Sequence, residues 1–394
     1  MGPHCRTKHT MDRVPDDILM LLFETAHLLF LEEHEVASKD FTKQLMRHYF
    51  HFRRSLAGVC RRWYDISARL PALWTKLYRG PEHPGQPWMT VARSGIHPLQ
   101  VLATGPQLLK FCGDAPGVAQ RIEHLEIQDH MTFRSMDVFS QLGRTDWPRL
   151  KSFFIEEMSG ACCNTNRSLW VPLASITDFL RRCPALQELR MSSLTYRLPS
   201  EGDTTLFLGA WKLPAPATLH DLKVIKLAHM KGADIKALLS SLDMPKLTAL
   251  HLYGAYGIGS PLPSVPCIPS LRELRFDKCH WEWHGIYEAL EAIPNVNGLA
   301  LSTIAGRGIL RRLIRGIEEH ASSGRVFLGR LKTFELSLRA ECDKQDLPDF
   351  VDTWQKRGLP TLDTVIVHSG REEKGMRTLW ATIASHVTIL WTFG

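Results

Sequence analysis

The sequence predicts an α/β chain: a small N-terminal helical module, then a curved array with parallel strands inside and helices outside. Three observations lead there. Between Val14 and Trp74, apolar runs at helical spacing alternate with charged residues and close on Pro71-Ala72-Leu73-Trp74. Downstream, one phrase recurs: an apolar residue, two others, an apolar residue, one other, an apolar residue. Between phrases, apolar residues repeat at the period of a helix face. One helical module followed by one long repeat array is the plan of an adaptor rather than of an enzyme.

Composition is compatible with that plan. The chain has 394 residues, 44% hydrophobic and 23% charged, ordinary for a globular protein with room for two domains. Net charge is +7 without a long Lys/Arg run, so nothing demands nucleic acid. Nine cysteines, an odd number without regular CxxC pairing, point to free thiols in a reducing compartment. No apolar stretch is long enough to span a bilayer. Met1-Gly2-Pro3-His4-Cys5-Arg6 is followed by no apolar core, so it does not read as a signal peptide. A cytoplasmic and/or nuclear protein is expected.

The module, residues 12–79, opens on Pro15-Asp16-Asp17, a proline and acidic residues suited to a helix N-terminus. Ile18, Leu19, Leu22 and Phe23 follow at helical spacing. A second apolar helix is expected from about Ser55, with Leu56, Val59, Cys60, Trp63 and Ile66 on one face and Arg61, Arg62 and Asp65 on the other. Pro71 stops it. An insertion near 32–54 contains a segment, Phe41 to Phe52, able to form an extra amphipathic helix. So few short helices bury little surface alone, so the module needs a partner or a neighbouring domain.

This segment resembles an F-box, and more closely the F-box-like module of large fungal families, which read roughly L-P-x-E-I-L-x-x-I-F, S-L-x-x-V-C-x-x-W and P-x-L-W. Matching positions are Pro15, Ile18, Leu19, Phe23, Leu56, Val59, Cys60, Trp63, Pro71, Leu73 and Trp74. Val14 and Asp17 depart conservatively from the usual leucine and glutamate. The resemblance implies docking onto a Skp-type adaptor, and through it a cullin, by Pro15, Ile18, Leu19, Leu22, Leu56, Val59, Cys60 and Trp63.

After a linker or irregular first repeat at 80–97, the array occupies 98–394. A weak phrase at Pro98–Val101 precedes nine clear ones, which begin at Ile122, Leu150, Leu186, Leu222, Leu247, Leu271, Val296, Leu331 and Leu362. The central steps are 25, 24 and 25 residues, and flanking steps stretch to 36, implying insertions such as Thr195 to Ala217. A period in the twenties with this phrase is the signature of leucine-rich repeats, each a strand plus a helix that buries its apolar face against its neighbours. Helical spacing recurs at Ile176-Phe179-Leu180, Ile235-Leu238-Leu239-Leu242, Ile286-Leu290-Ile293, Leu310-Leu313-Ile314-Ile317 and Phe350-Trp354. A proline stands before most phrases (Pro148, Pro184, Pro245, Pro269, Pro294, Pro360) and is expected to end the outer helix. The array is similar to the repeats that follow F-box-like modules in the same fungal families. It departs at the ninth place of the phrase, where Asn or Cys is usual and only Cys279 fits.

In each phrase the third, fifth and seventh places face away from the helices, because strand side chains alternate. The fifth places put Arg190, Lys226, His251 and Arg275 in one row, a basic stripe suited to an acidic or phosphorylated target. Glu188, Glu273 and Asp277 share that face. Lys226 and His251 have no carboxylate on their own strands, so only partial neutralisation is expected. No P-loop and no G-x-S-x-G occurs. Cys162-Cys163 and Cys279-His280 lack a second pair at finger spacing. No catalytic residue, metal or cofactor is expected. Two functions fit: the substrate-recognition subunit of a Skp–cullin–F-box ubiquitin ligase, or a protein-binding repeat scaffold whose N-terminal helices are only a cap.

Overall fold

A computed structural model describes residues 14–37, 43–79, 87–115, 117–129, 136–157, 169–171, 173–192, 194–196, 216–257, 268–281, 283–291, 293–302, 309–323, 327–338, 341–357, 359, 362–369 and 388–393. The Cys162–Cys163 pair, Pro360 and most of the Thr195–Ala217 insertion lie outside them. The chain divides into two compact units, 1–129 and 130–394.

In the N-terminal unit, helix α1 spans Asp16–Ala37, α2 Lys43–Gly58 and α3 Arg61–Ala68. The helix expected from Ser55 to Ile66 is therefore two helices. Gly58 ends α2, and Cys60 adopts an extended backbone (φ −162°, ψ 171°) as the residue that opens α3. Glycine weakens the helix, and the extended Cys60 restarts it in a new direction. Much of the insertion forms α2. A 3₁₀ turn at Pro71–Trp74 follows. Strand β1, Lys76–Arg79, lies within the stretch read as helical and pairs in parallel with β2, Leu99–Ala103; β2 pairs with β3, Ile122–Asp129. Helices α4, Pro87–Arg93, and α5, Gly105–Asp114, connect them.

The C-terminal unit holds nine strands in one sheet: β4 Ser152–Glu157, β5 Glu188–Ser192, β6 Val224–Ala228, β7 Ala249–Tyr253, β8 Glu273–Asp277, β9 Gly298–Ser302, β10 Thr333–Leu338, β11 Thr364–Ser369 and β12 Thr388–Phe393. Consecutive neighbours are parallel. Helix α6, Met136–Leu142, precedes β4, and among the described residues a helix fills five of the eight crossovers: α7 Leu173–Arg181, α8 Gly232–Ser240, α9 Trp283–Glu291, α10 Ile309–Ser322 and α11 Glu341–Lys356. Each of the nine clear phrases falls on a strand, and the weak one falls on β2. The phrase did not reveal β1 or β12. The helical spacings at Ile176, Ile235, Ile286, Leu310 and Phe350 fall in α7 to α11; Leu242, expected in α8, starts a two-residue strand instead.

The register places Leu189, Ile225, Leu250, Leu274, Leu299, Phe334 and Val365 in one buried row. Burying each such side chain stabilises by about 1.5–3 kcal/mol, which makes this row the main reason for one register. The prolines do not end helices. Pro148, Pro184, Pro245, Pro269 and Pro294 each sit second in a tight turn whose fourth residue, the first of the phrase, bonds back to the first: Leu186 N to Cys183 O at 3.1 Å, Leu247 N to Met244 O at 3.2 Å, Leu271 N to Ile268 O at 3.2 Å. That place wants φ near −65°, which proline supplies. At the ninth place, Met230, Ala255 and Cys279 are fully buried, so an apolar column stands where a polar ladder is usual.

Candidate docking and recognition surfaces

Helix α1 starts at Asp16 with two carboxylates in its first turn, where the helix N-terminus favours negative charge. Arg62 of α3 holds that end, with Nη2 2.7 Å from Asp16 Oδ1 and a further bond to Val14 O. Behind it lies a core of Leu19, Phe23, Ile66, Leu70, Leu73 and Trp74, with Leu56 and Trp63 packed on its edge. Phe23 and Trp63 meet edge-on at 4.8 Å, and Trp74 Nε1 donates to Ser67 O at 2.8 Å. The 3₁₀ turn of Pro71–Trp74 brings Trp74 under α3.

The eight residues expected to face an adaptor divide into two groups. Pro15, Ile18, Leu22, Val59 and Cys60 are exposed, with Ile18 at 44%, Leu22 at 49% and Val59 at 60%. Leu19 is fully buried, and Leu56 and Trp63 are half-buried against the module's own core. Leu19 is therefore a core residue and not a contact residue. The motif repeats at helical spacing on both faces of α1, so residue type alone did not separate them.

Two arginines that sequence reasoning missed stack on Trp74: the guanidinium carbons of Arg53 and Arg93 each lie 4.4 Å from its ring centre. Burial lowers the Arg53 pKa, Tyr49 opposes that and Arg93 adds to it. Arg53 belongs to α2 and Arg93 to α4, so no local spacing announces their meeting.

In the C-terminal unit, Arg190, Lys226, His251 and Arg275 occupy directly paired places on β5, β6, β7 and β8, continued by Ala300, Glu335 and Ile366. All four are half-buried. Arg190 also lies over Phe154, 4.3 Å from its ring centre. The expected shortage of carboxylates beside Lys226 and His251 does not hold, because adjacent strands supply them. Glu188 on β5 lies 2.9 Å from Arg190 Nε and 3.1 Å from Lys226 Nζ. Glu273 on β8 lies 2.8 Å from Arg275 Nε and 3.2 Å from His251 Nε2, though off hydrogen-bond geometry to the imidazole. Glu335 on β10 reaches Arg275 Nη2 at 2.6 Å, across the intervening Ala300, whose small side chain leaves the gap open.

Charge follows. Burial alone would raise the Glu188 carboxyl, but Arg190 and then Lys226 outweigh it and hold it below the usual range. Arg275 and His251 do the same to Glu273 against its own burial. Burial pushes the His251 imidazole down; Glu273 opposes this, and Arg275 and Lys226 reinforce it. Arg190, Lys226 and Arg275 thus meet Glu188, Glu273 and Glu335, and the row is close to neutral.

Cys60, Cys112, Cys183 and Cys279 are free thiols. Burial pushes Cys279 up to about 12, and its Sγ donates to Leu252 O at 3.3 Å, a structural role beside His280. Among the described residues no three His, Cys, Asp or Glu stand where a metal ion could be held, and no helix is long and apolar enough to cross a membrane. No protein-family model and no curated protein matches the chain.

Proposed function

We propose that the chain is the substrate-recognition subunit of a Skp–cullin–F-box ubiquitin ligase, its N-terminal helices being an F-box-like module and its parallel sheet with connecting helices a leucine-rich-repeat solenoid. One observation supports this above the rest: Pro15, Ile18, Leu22 and Val59 are exposed although the module has an apolar core of its own. A cap would cover those side chains. Uncovered, they make the kind of apolar face that marks a protein-docking site. The protein has no catalytic part in this reading. It docks a Skp-type adaptor, and through it a cullin, with Pro15, Ile18, Leu22, Val59 and Cys60. Leu19, Leu56 and Trp63 act behind them by holding the helices in place.

The target lies on the strand row. Arg190, Lys226, His251 and Arg275 remain its contact residues, but together with Glu188, Glu273 and Glu335, so the row suits a segment carrying both charges. An acidic or phosphorylated segment would have to displace those carboxylates.

The test is co-purification of a Skp-type adaptor with the full chain and with an Ile18→Ser/Leu22→Ser/Val59→Ser variant. About half of each side chain is already covered, so each contact is worth about 1 kcal/mol and the triple change should weaken capture about a hundredfold. Unchanged capture by the folded variant, or no capture by the wild type, would favour the scaffold reading instead.

A further inference from the structure

Helix α1 runs fourteen residues past Phe23 and keeps an apolar face on its solvent side. Ile18, Leu21, Leu22, Leu28 and Leu29 recur at i, i+3, i+4, i+10 and i+11, with Thr25 at i+7 completing one stripe. Leu28 and Leu29 are each 59% exposed, more than Ile18 or Leu22. Thr25 does not interrupt the stripe, because its hydroxyl is already satisfied within the helix, donating to Leu21 O at 2.8 Å. The buried face of the helix is separate: Leu19, Phe23 and His27, with Phe30 stacked on Phe52 at 4.8 Å. The charge on α1 is of one sign. Asp16, Asp17, Glu24, Glu32, Glu33 and Glu35 are its charged residues, and it contains no lysine or arginine. Asp17, Glu24, Glu32 and Glu33 are exposed; Asp17 and Glu24 edge the stripe, and Glu32 and Glu33 close its far end.

From this we infer that the Leu28–Leu29 end of α1 is a second docking surface, and that its occupant is an amphipathic helix of another protein whose apolar face is rimmed by lysine and arginine. The pair lies beyond the residues assigned to the adaptor, so the inference goes past the proposed function and does not depend on it. Charge selects the occupant. Two copies of α1 packed face to face would oppose carboxylate to carboxylate, and an anionic lipid surface would be repelled by the same groups. A cationic rim instead pairs with Glu24, Glu32 and Glu33 while its leucines cover Leu28 and Leu29, as two amphipathic helices pair face to face.

The probe is a labelled synthetic amphipathic peptide of leucine and lysine, with a leucine–glutamate peptide of the same pattern beside it, titrated against the full chain by fluorescence anisotropy. The leucine–lysine peptide should bind, and binding should weaken as salt rises from about 0.05 to 0.3 M. Leu28→Ser/Leu29→Ser and Glu24→Lys/Glu32→Lys/Glu33→Lys should each weaken it by about tenfold or more with unchanged circular dichroism. The Ile18→Ser/Leu22→Ser/Val59→Ser variant should keep the peptide while losing the adaptor, which separates the two surfaces. The inference is overturned if the wild type ignores the peptide, if both peptides bind alike, if Leu28→Ser/Leu29→Ser binds normally, or if the adaptor variant loses the peptide too. It is also overturned if the wild type sediments as a dimer that Leu28→Ser/Leu29→Ser returns to monomer, since the face then belongs to a second copy.

Discussion

The two candidate surfaces of this protein are built on opposite physical terms. On α1, leucines and isoleucine stand in solvent above a packed core, and among the described residues of the module nothing offsets that exposure. On the strands of the C-terminal unit, cations stand in a row and the structure offsets nearly all of their charge, through Glu188, Glu273 and Glu335. An exposed apolar face gains free energy whenever any complementary surface covers it. A neutralised charged row gains little from charge alone and selects its ligand by geometry. Under the proposed function the first surface would serve tight docking and the second discrimination.

The largest expected effect tests the boundary between face and core on α1. Leu19→Ala should destabilise the protein by about 2–5 kcal/mol, because Leu19 is fully buried. Ile18→Ser, one residue away and about half covered, should cost only about 1 kcal/mol. Urea unfolding of the two variants checks this, and similar losses in both would mean that Ile18 is covered in solution.

A smaller effect sharpens the account of the strand row. Glu188→Gln/Glu273→Gln removes two of the three carboxylates and should leave Arg190, Lys226 and Arg275 facing solvent with a net positive charge. Partly exposed ion pairs are worth about 0–1 kcal/mol each, so stability should fall only modestly. Binding of a short phosphorylated or poly-glutamate peptide should strengthen in the variant relative to the wild type, as read by calorimetry. Equal binding would show that carboxylates do not set the selectivity of the row.

The smallest effect is a pH dependence of the same row. His251 titrates below the ordinary 6.5 because burial disfavours its charged form. Over that window the unfolded chain binds more protons than the folded one, so stability is full above the ordinary value and declines as pH falls beneath it. Glu188 and Glu273, held low, act in the same direction at more acid pH, losing their contribution as they protonate. His251→Asn should make the loss of stability between about pH 7 and pH 5.5 shallower. A loss as steep as the wild type's would place its cause outside His251.

Much of the fold was legible in the chain. The six-residue phrase located each strand it named, because a strand with one buried face needs apolar residues at alternate places, and the next strand needs them in the same register. The fifth-place alignment of Arg190, Lys226, His251 and Arg275 followed from the same arithmetic. Strand β1 was illegible because Lys76-Leu77-Tyr78-Arg79 is too short to show the phrase, and its partner β2 lies twenty residues away. The break at Val59–Cys60 was hidden because apolar residues on both sides keep helical spacing across it.

Period alone set which residues lie inward on each strand the phrase marks, where those strands fall, and which side chains share a row. Packing in three dimensions set which apolar face of α1 is covered, since Leu19 and Leu22 differ in nothing but the direction they point once α3 and the Pro71–Trp74 turn have packed. It also decided the charge of the strand row. Glu188 and Glu273 reach Lys226 and His251 across neighbouring strands, and Glu335 reaches Arg275 past Ala300. Coulomb attraction depends on distance in space, and no spacing along the chain carries that distance.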